Sequence, residues 1–304
     1  MTKFLKKNGI VIVVFSILLI WGAFAANEYR VWRNQNTKAY YYYVDLCENK
    51  YNNEAQYKEY CRDLIDSGPP IKADTLTIFF DLIGRYSLNY LQLIAPIFVV
   101  AVAIWNFHKE LKSGFFKNIL TRIEYKRYIM KRVIYSYRFS FILPMFLLYI
   151  FLLAYILSGH FNIEETMRTY PDTLFIDEKF LPILSTFLFV YIFNLVLHSI
   201  FWINIGYILT KKSRNIIVTL TALILVYIAI FIIAEVLIGG LIFSHIFHIR
   251  SIANYLNLAN IWVYEGVDTL FLMLLYGFIL ALSSFFIVAK LYKNKEGVIV
   301  ENEK

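Results

Sequence analysis

HKELKSGFFKNILTRIEYKRYIMKRVIYSYR, residues His108 to Arg138, is the longest basic segment of a chain that is otherwise mostly apolar. It holds nine lysines and arginines against two acids, Glu110 and Glu124, a net +7 in a protein whose total is +8. Basic blocks beside apolar runs set the orientation of helical membrane chains, because Lys and Arg stay on the cytoplasmic side. The apolar runs agree. Of 304 residues 59% are hydrophobic and 18% aromatic, with a mean hydropathy of +0.57, well above a soluble domain of this length. A soluble core needs a polar shell, whereas helices among lipid are apolar all round. The pI near 9.2 therefore signals topology and a membrane-lipid environment, and no nucleic-acid partner is expected.

Outward from this segment, the second span is expected over Tyr86 to Phe107, kinked at Pro96, and the third over Phe139 to Leu157. The first is expected over Gly9 to Ala26, an uncharged run after Lys3, Lys6 and Lys7. Ala23, Ala25 and Ala26 also fit a cleaved signal peptide. The uncleaved span is preferred, because the run is nearly long enough to cross unaided and cleavage would leave an odd number of spans. Between them, Asn27 to Arg85 is polar, with eight basic and nine acidic residues, and reads as an extracellular helical insertion. Its Cys47 to Asp66 part is helix-like and ends at Gly68-Pro69-Pro70. Lys72 to Asn89 reads as an interfacial helix feeding the second span, and Tyr40 to Tyr43 as packing or interface anchors.

Beyond the third span, Ser158 to Lys179 carries five acids and two bases. The fourth span, Phe180 to Thr210, would measure about 46 Å against a hydrocarbon core of about 30 Å, so it must tilt, bend at Pro182 or project. Lys211, Lys212 and Arg214 turn into a fifth span, Ile216 to Phe243. A half-apolar stretch, Ser244 to Asp268, precedes the sixth, Leu270 to Leu291. With this topology the charge sums to +14 on one side and −6 on the other. Both termini and the basic loop are then expected in the cytoplasm, and the insertion outside. The expected fold is an all-α polytopic membrane protein with six transmembrane helices in a single transmembrane domain.

Cys47 and Cys61 fall on the oxidising side in this topology, so a disulfide is favoured over two free thiols. A continuous helix would hold them about 21 Å apart, and a disulfide needs Cα atoms within about 7 Å. The chain must then reverse between them, at Asn52-Asn53. Asn194, His198 and Asn204 in the fourth span and Glu235 in the fifth are costly in lipid. They serve either as interhelical hydrogen bonds or as a candidate translocation path. Glu164-Glu165 with Arg168 only loosely resembles the paired-glutamate motif of intramembrane CAAX-type proteases. His245 and His248 lack a third ligand spaced for a metal, so no catalytic or metal-binding residue is expected. No phosphate-binding loop follows Gly114, so the chain is not expected to hydrolyse ATP.

Glu110, Gly114, Ile119-Leu120, Tyr125-Lys126-Arg127-Tyr128 and Lys131 follow one another as in the permease subunit of ABC-2 type ABC transporters, which the chain also resembles in its span and loop order. Phe115 stands where that family commonly has Thr, and the Pro often found after the Leu-rich stretch is missing. The resemblance implies a half-transporter: a second permease copy or paralogue, and a separate cytoplasmic ABC ATPase that binds ATP and Mg, with no cofactor on this chain. It implies that 108–138 is a cytoplasmic coupling loop, with Glu110, Gly114, Phe115, Leu120, Thr121, Glu124 and Lys131 at the ATPase contact. It also implies a re-entrant helical pair over Ser244 to Asp268, allowed where protein shields the broken backbone.

The residues of the loop bear on this separately. Leu111, Phe115, Ile119 and Ile123 recur every four residues as an apolar stripe. Thr121 with Glu124 has the spacing of a capping box, so a new helix is expected after Thr121, running into the third span. The same pattern fits a basic amphipathic helix lying on anionic lipid. The expected function is export across the cytoplasmic membrane of an amphiphilic or hydrophobic substrate, peptide, drug-like or lipid-like. The alternative is a non-transporting membrane protein, a bacteriocin-immunity or sensor subunit, that binds its ligand through the Cys47 to Cys61 region.

Overall fold

The computed structural model describes residues 2–51, 57–67, 74–85, 91–112, 124–161, 184–213, 215–246 and 270–293. Among these residues the chain is helix joined by short turns, with no strand. The helices are α1 (Thr2–Asn49), α2 (Lys58–Ser67), α3 (Thr75–Arg85), α4 (Leu91–Lys112), α5 (Tyr125–Ser136), α6 (Ile142–Ser158), α7 (Leu184–Lys212), α8 (Ile216–Phe231) and α9 (Leu270–Leu291). A 3-10 turn, Tyr137–Phe141, joins α5 to α6, and a π-helix, Ile232–Ile246, continues α8.

Five of these helical stretches are long and apolar enough to cross a membrane: Gly9–Asn49, Ile94–Leu111, Tyr125–Ser158, Phe189–Lys212 and Leu274–Leu291. They overlap the expected first, second, third, fourth and sixth spans. The expected fifth falls on α8, whose apolar α-helical part, Ile216–Ile230, is shorter; at 1.5 Å per residue it reaches about 23 Å of a core about 30 Å thick. Pro96 lies inside α4 without ending it. Pro182 and residues 247–268 of the expected re-entrant pair lie outside the described residues.

The helix of the expected first span continues past Ala26. Helix α1 runs on to Asn49 because nothing between Ala23 and Asn49 stops it: no Gly or Pro occurs there. It also keeps one covered face, through Val14, Leu18, Gly22, Ala25, Tyr29 and Cys47, while Ile20, Phe24 and Tyr42 are exposed. The steps of three and four residues along that face are those of a helix packed on one side.

Residues Met1–Leu18, Tyr90–Leu148 and Pro171–Lys304 form one compact unit. Its centre is α7, which has no exposed residue from Asn194 to Tyr207, as expected of a helix surrounded by others. Helix α4 packs on it through Ala95, Val99, Ala103 and Phe107, four residues apart. Gly206 permits the contact, since a Cβ there would lie 2.5 Å from Val100 Cγ1. Helix α9 lays Gly277, Ala281, Ser284 and Val288 on the bundle side and exposes Phe278, Ile279, Phe286 and Ile287. Small residues on the packed face bring two backbones close, and large apolar ones on the other face suit lipid.

Residues Leu19–Asn89 and Tyr149–Tyr170 form the second unit. Cys47 of α1 is bonded to Cys61 of α2, with Cα atoms 5.5 Å apart. The two cysteines are thus brought together as expected, and the rings of Tyr51 and Tyr57 lie 4.5 Å apart; the expected turn at Asn52-Asn53 lies outside the described residues. Helix α3 starts at Asp74, whose Oδ2 accepts from the Leu76 amide at 3.0 Å, an N-cap. Its apolar face is covered by protein. Leu76, Ile78, Phe79, Leu82 and Ile83 are all buried in protein, with Phe79 edge-on to Phe151 and the Thr75 hydroxyl 2.6 Å from that of Ser158. Gly159, at a φ of 71°, ends α6 with its amide donating to the Tyr155 carbonyl at 2.8 Å.

Candidate functional site

The two arms of the basic loop are α4 and α5, and they are clamped where they approach each other. Glu110, on the last turn of α4, accepts from the Tyr128 hydroxyl at 2.6 Å and forms an ion pair with Arg132, both on α5. Arg132 Nε also donates to the Tyr128 oxygen at 3.2 Å, and its guanidinium stacks over the Tyr128 ring, 5.6 Å from the centroid. Tyr128 and Arg132 are one helical turn apart, so they present one face to Glu110. The side chains of Arg132 and Glu110 are 30% and 17% exposed. An ion pair at that depth is worth about 1–2 kcal/mol, between an exposed pair and a buried charged hydrogen bond.

From this clamp, hydrogen bonds reach the remaining helices of the unit at the same end. Ser136 Oγ lies 2.7 Å from the Tyr207 hydroxyl of α7 and 3.3 Å from the Ala103 carbonyl of α4. Tyr207 in turn donates to the Arg132 carbonyl at 3.3 Å. Tyr292, just past α9, donates to the Tyr207 carbonyl at 2.8 Å, and burial holds its hydroxyl protonated far above the usual phenol range. Lys211 Nζ donates to the Leu291 carbonyl at 2.9 Å, satisfying the C-terminus of α9. His108 Nε2 lies 3.3 Å from both Thr210 of α7 and Thr219 of α8. Bonded groups therefore link the loop arms to α7, α8 and the end of α9.

The expected coupling residues are distributed unevenly over this site. Glu110 is at its centre. Lys131 points to solvent beside it. Glu124 is exposed and extended, with φ −57° and ψ 129°, and its side chain makes no capping bond. That corrects the expected capping box: Glu124 precedes the helix instead of filling its third position, and α5 starts at Tyr125. Gly114, Phe115, Leu120 and Thr121 lie outside the described residues, as does the apolar stripe from Phe115 to Ile123. Arg132, Ser136 and Tyr207 are not singled out by sequence, Arg132 counting only as one charge among nine, and Tyr128 enters only as part of the Tyr125-Lys126-Arg127-Tyr128 resemblance. The available signal was the spacing of Tyr128, Arg132 and Ser136, one turn apart along α5.

The polar residues expected in the spans separate into two groups. Asn204 is a cross-link. Its Oδ1 accepts from the Tyr137 hydroxyl at 2.7 Å, and its Nδ2 donates to Ser284 Oγ at 2.9 Å and, more weakly, to the Ala281 carbonyl at 3.4 Å. Asn194 and His198 are buried on the same helix and make no such bridge: Asn194 Oδ1 and His198 Nδ1 have no hydrogen-bond partner among the described residues. Glu235 lies on the π-helix, and nothing of its side chain is described.

An almost wholly helical chain with several helices fit to cross a membrane has the build of a multi-pass membrane protein. No protein-family model, curated protein or solved structure matches the chain.

Proposed function

We propose that the chain is the membrane-spanning permease subunit of an ABC-2 type exporter in the cytoplasmic membrane, with six spans, cytoplasmic termini and a re-entrant pair before the last span. It works with a cytoplasmic ABC ATPase and a second permease copy or paralogue, and moves an amphiphilic or hydrophobic substrate outward. The observation that carries this reading is the Glu110–Arg132–Tyr128 clamp at the foot of the loop. An ATPase pressing on the loop would move α4 and α5 together, because their ends are held by charge-assisted bonds. The bonds through Ser136, Tyr207 and Tyr292 would pass that movement to the rest of the unit. Basic residues at the same helix ends, Lys109, Lys131, Lys211, Lys212 and Lys290, suit a cytoplasmic placement of this end.

The test is co-expression with a Walker-motif ATPase encoded beside the gene. The expected result is co-purification and ATP hydrolysis stimulated by the permease. Glu110→Ala or Gly114→Pro should leave insertion intact and reduce transport at least about tenfold per ATP hydrolysed, equivalent to about 1.4 kcal/mol of lost coupling. A chain that purifies alone and stimulates no ATPase would overturn the reading.

A second reading draws on the disulfide-bonded unit. Tyr41, Tyr42, Tyr43, Tyr57 and Tyr60 are exposed there, and tyrosines give amphipathic contact surface at low entropic cost. In a non-transporting immunity or sensor subunit, this surface would hold the ligand. Ligand protection that survives loss of the Glu110 clamp and disappears with Cys61→Ser would favour it.

A further inference from the structure

Four side-chain polar atoms on α7 are buried with no hydrogen-bond partner among the described residues: Asn194 Oδ1, His198 Nδ1, Ser199 Oγ and Trp202 Nε1. Their residues are 2%, 5%, 1% and 1% exposed. Asn194, His198 and Trp202 follow at steps of four residues, so they form one stripe along the helix. The stripe lies between neighbours: Asn194 is against Gly277 of α9, the His198 ring faces Tyr276 of α9 at 6.5 Å, and the Trp202 ring meets Tyr227 of α8 at 5.4 Å. An unmade bond in a low-dielectric interior is costly and is rarely retained without use. The bonded Asn204, on the same helix, shows how such a group is satisfied when its role is structural.

We propose that the Asn194–His198–Trp202 stripe is the substrate subsite of the transporter and reads the backbone of an extended peptide. This rests on the exporter reading and names its substrate class. Four residues of helix advance about 6 Å. Two residues of extended chain advance about 6.5 Å, and backbone groups on one edge of such a chain recur at that interval. Asn194 Oδ1 accepts, Trp202 Nε1 donates, and the intervening His198 Nδ1 does either according to its tautomer. An extended peptide supplies N–H and C=O groups in that repeat, whereas a lipid collects its polar groups at one end. With the stripe covered, the structure is the closed state of the subsite, and a peptide enters when α9 parts from α7. Gly277 keeps the closed contact tight, since an added Cβ would run into Asn194 Oδ1.

The experiment uses the full chain in lipid nanodiscs, with empty nanodiscs as the partition control. The probe is a dansyl-capped, amidated Leu-Ala hexapeptide, compared with versions N-methylated at alternate residues in either frame. Saturable binding is expected for the unmethylated probe, with at least tenfold weaker binding for one methylated frame. Asn194→Ala and His198→Phe should each weaken binding about tenfold, and His198→Phe should raise the melting temperature by removing an unpaired group. Asn204→Ala is the folding control: it lowers the melting temperature and keeps the ratio of unmethylated to methylated probe binding unchanged. Equal binding of all the peptides, unchanged binding in both stripe variants, or an indole N–H already bonded to resident water in peptide-free protein would overturn the subsite. ATPase stimulation is scored separately. If it is present while the peptide arm fails, the subsite alone falls. If peptide binds in the expected pattern without ATPase coupling, the subsite stands and the exporter reading falls.

Discussion

Arg132 of α5 donates to Glu110 of α4, and Tyr128 donates to the same carboxylate, so both ends of the basic loop meet at one acid. The loop's other described acid, Glu124, stays in solvent. Of the loop's two acids, the one on α4 is therefore the one that holds the two arms together.

Removing that acid should loosen the loop arms without unfolding the bundle. Glu110→Gln is expected to cost about 1 kcal/mol and Glu110→Ala about 2 kcal/mol, since Arg132 is exposed enough to regain water. Thermal unfolding of Glu110→Ala, Arg132→Ala and the double variant should show a coupling of about 1 kcal/mol. A coupling of zero would mean the two side chains do not act as a clamp.

Asn204 joins three elements, so Asn204→Leu should be worse than its volume suggests. It leaves Tyr137 and Ser284 without their partner, at about 2–3 kcal/mol in total. Chemical denaturation of the detergent-solubilised protein checks this. A change under about 0.5 kcal/mol would show that the surrounding groups find other bonds.

Gly206→Ala should destabilise through overpacking, by about 1–3 kcal/mol, because the new methyl meets Val100 Cγ1 at 2.5 Å and Ile104 Cγ2 at 3.3 Å. Gly9→Ala is the matched control. A Cβ there has nothing within 4 Å, so the better helix propensity of Ala should leave stability unchanged or raise it by up to about 1 kcal/mol. The melting temperatures should move in opposite directions, or the Gly9 variant should not move at all.

In α2 only Cys61 is buried, and Tyr60, Arg62 and Ile65 are exposed. The disulfide is accordingly the main restraint on this helix. Maleimide labelling of the unreduced protein should find no free thiol. Cys61→Ser should cost about 3 kcal/mol in the chain-entropy account of a loop this size. Hydrogen exchange should rise across Lys58–Ser67, while the amides of α4 and α7 stay protected.

Much of the fold was legible because its signals are local. Apolar length marked the crossing helices, and α9 occupies Leu270–Leu291 as expected. The absence of stop signals is just as local: no Gly or Pro follows Ala26 before Asn49, and α1 runs unbroken from the expected first span into the expected helical insertion. The capping box failed for the opposite reason: T-x-x-E has the right spacing, but Glu124 is extended and the helix begins after it. Glu110 stands out in the sequence as an acid in a basic loop, while its pairing with Arg132 does not, since a contact across 22 residues leaves no periodic trace.

By itself the sequence determined a helical, membrane-crossing chain, the charge asymmetry of its loops and the pairing of its only two cysteines, because length, hydropathy and count are properties of residues taken in order. Only the tertiary structure decided which polar groups in α7 are satisfied. Asn194, His198 and Asn204 look alike as polar residues in one apolar run, and whether each finds a partner depends on what α9 and the turn at Tyr137 bring alongside. Burial turns that difference into energy. In the basic loop, likewise, the net charge follows from the sequence, and the approach of α4 to α5 selects Arg132 from nine cations to face Glu110.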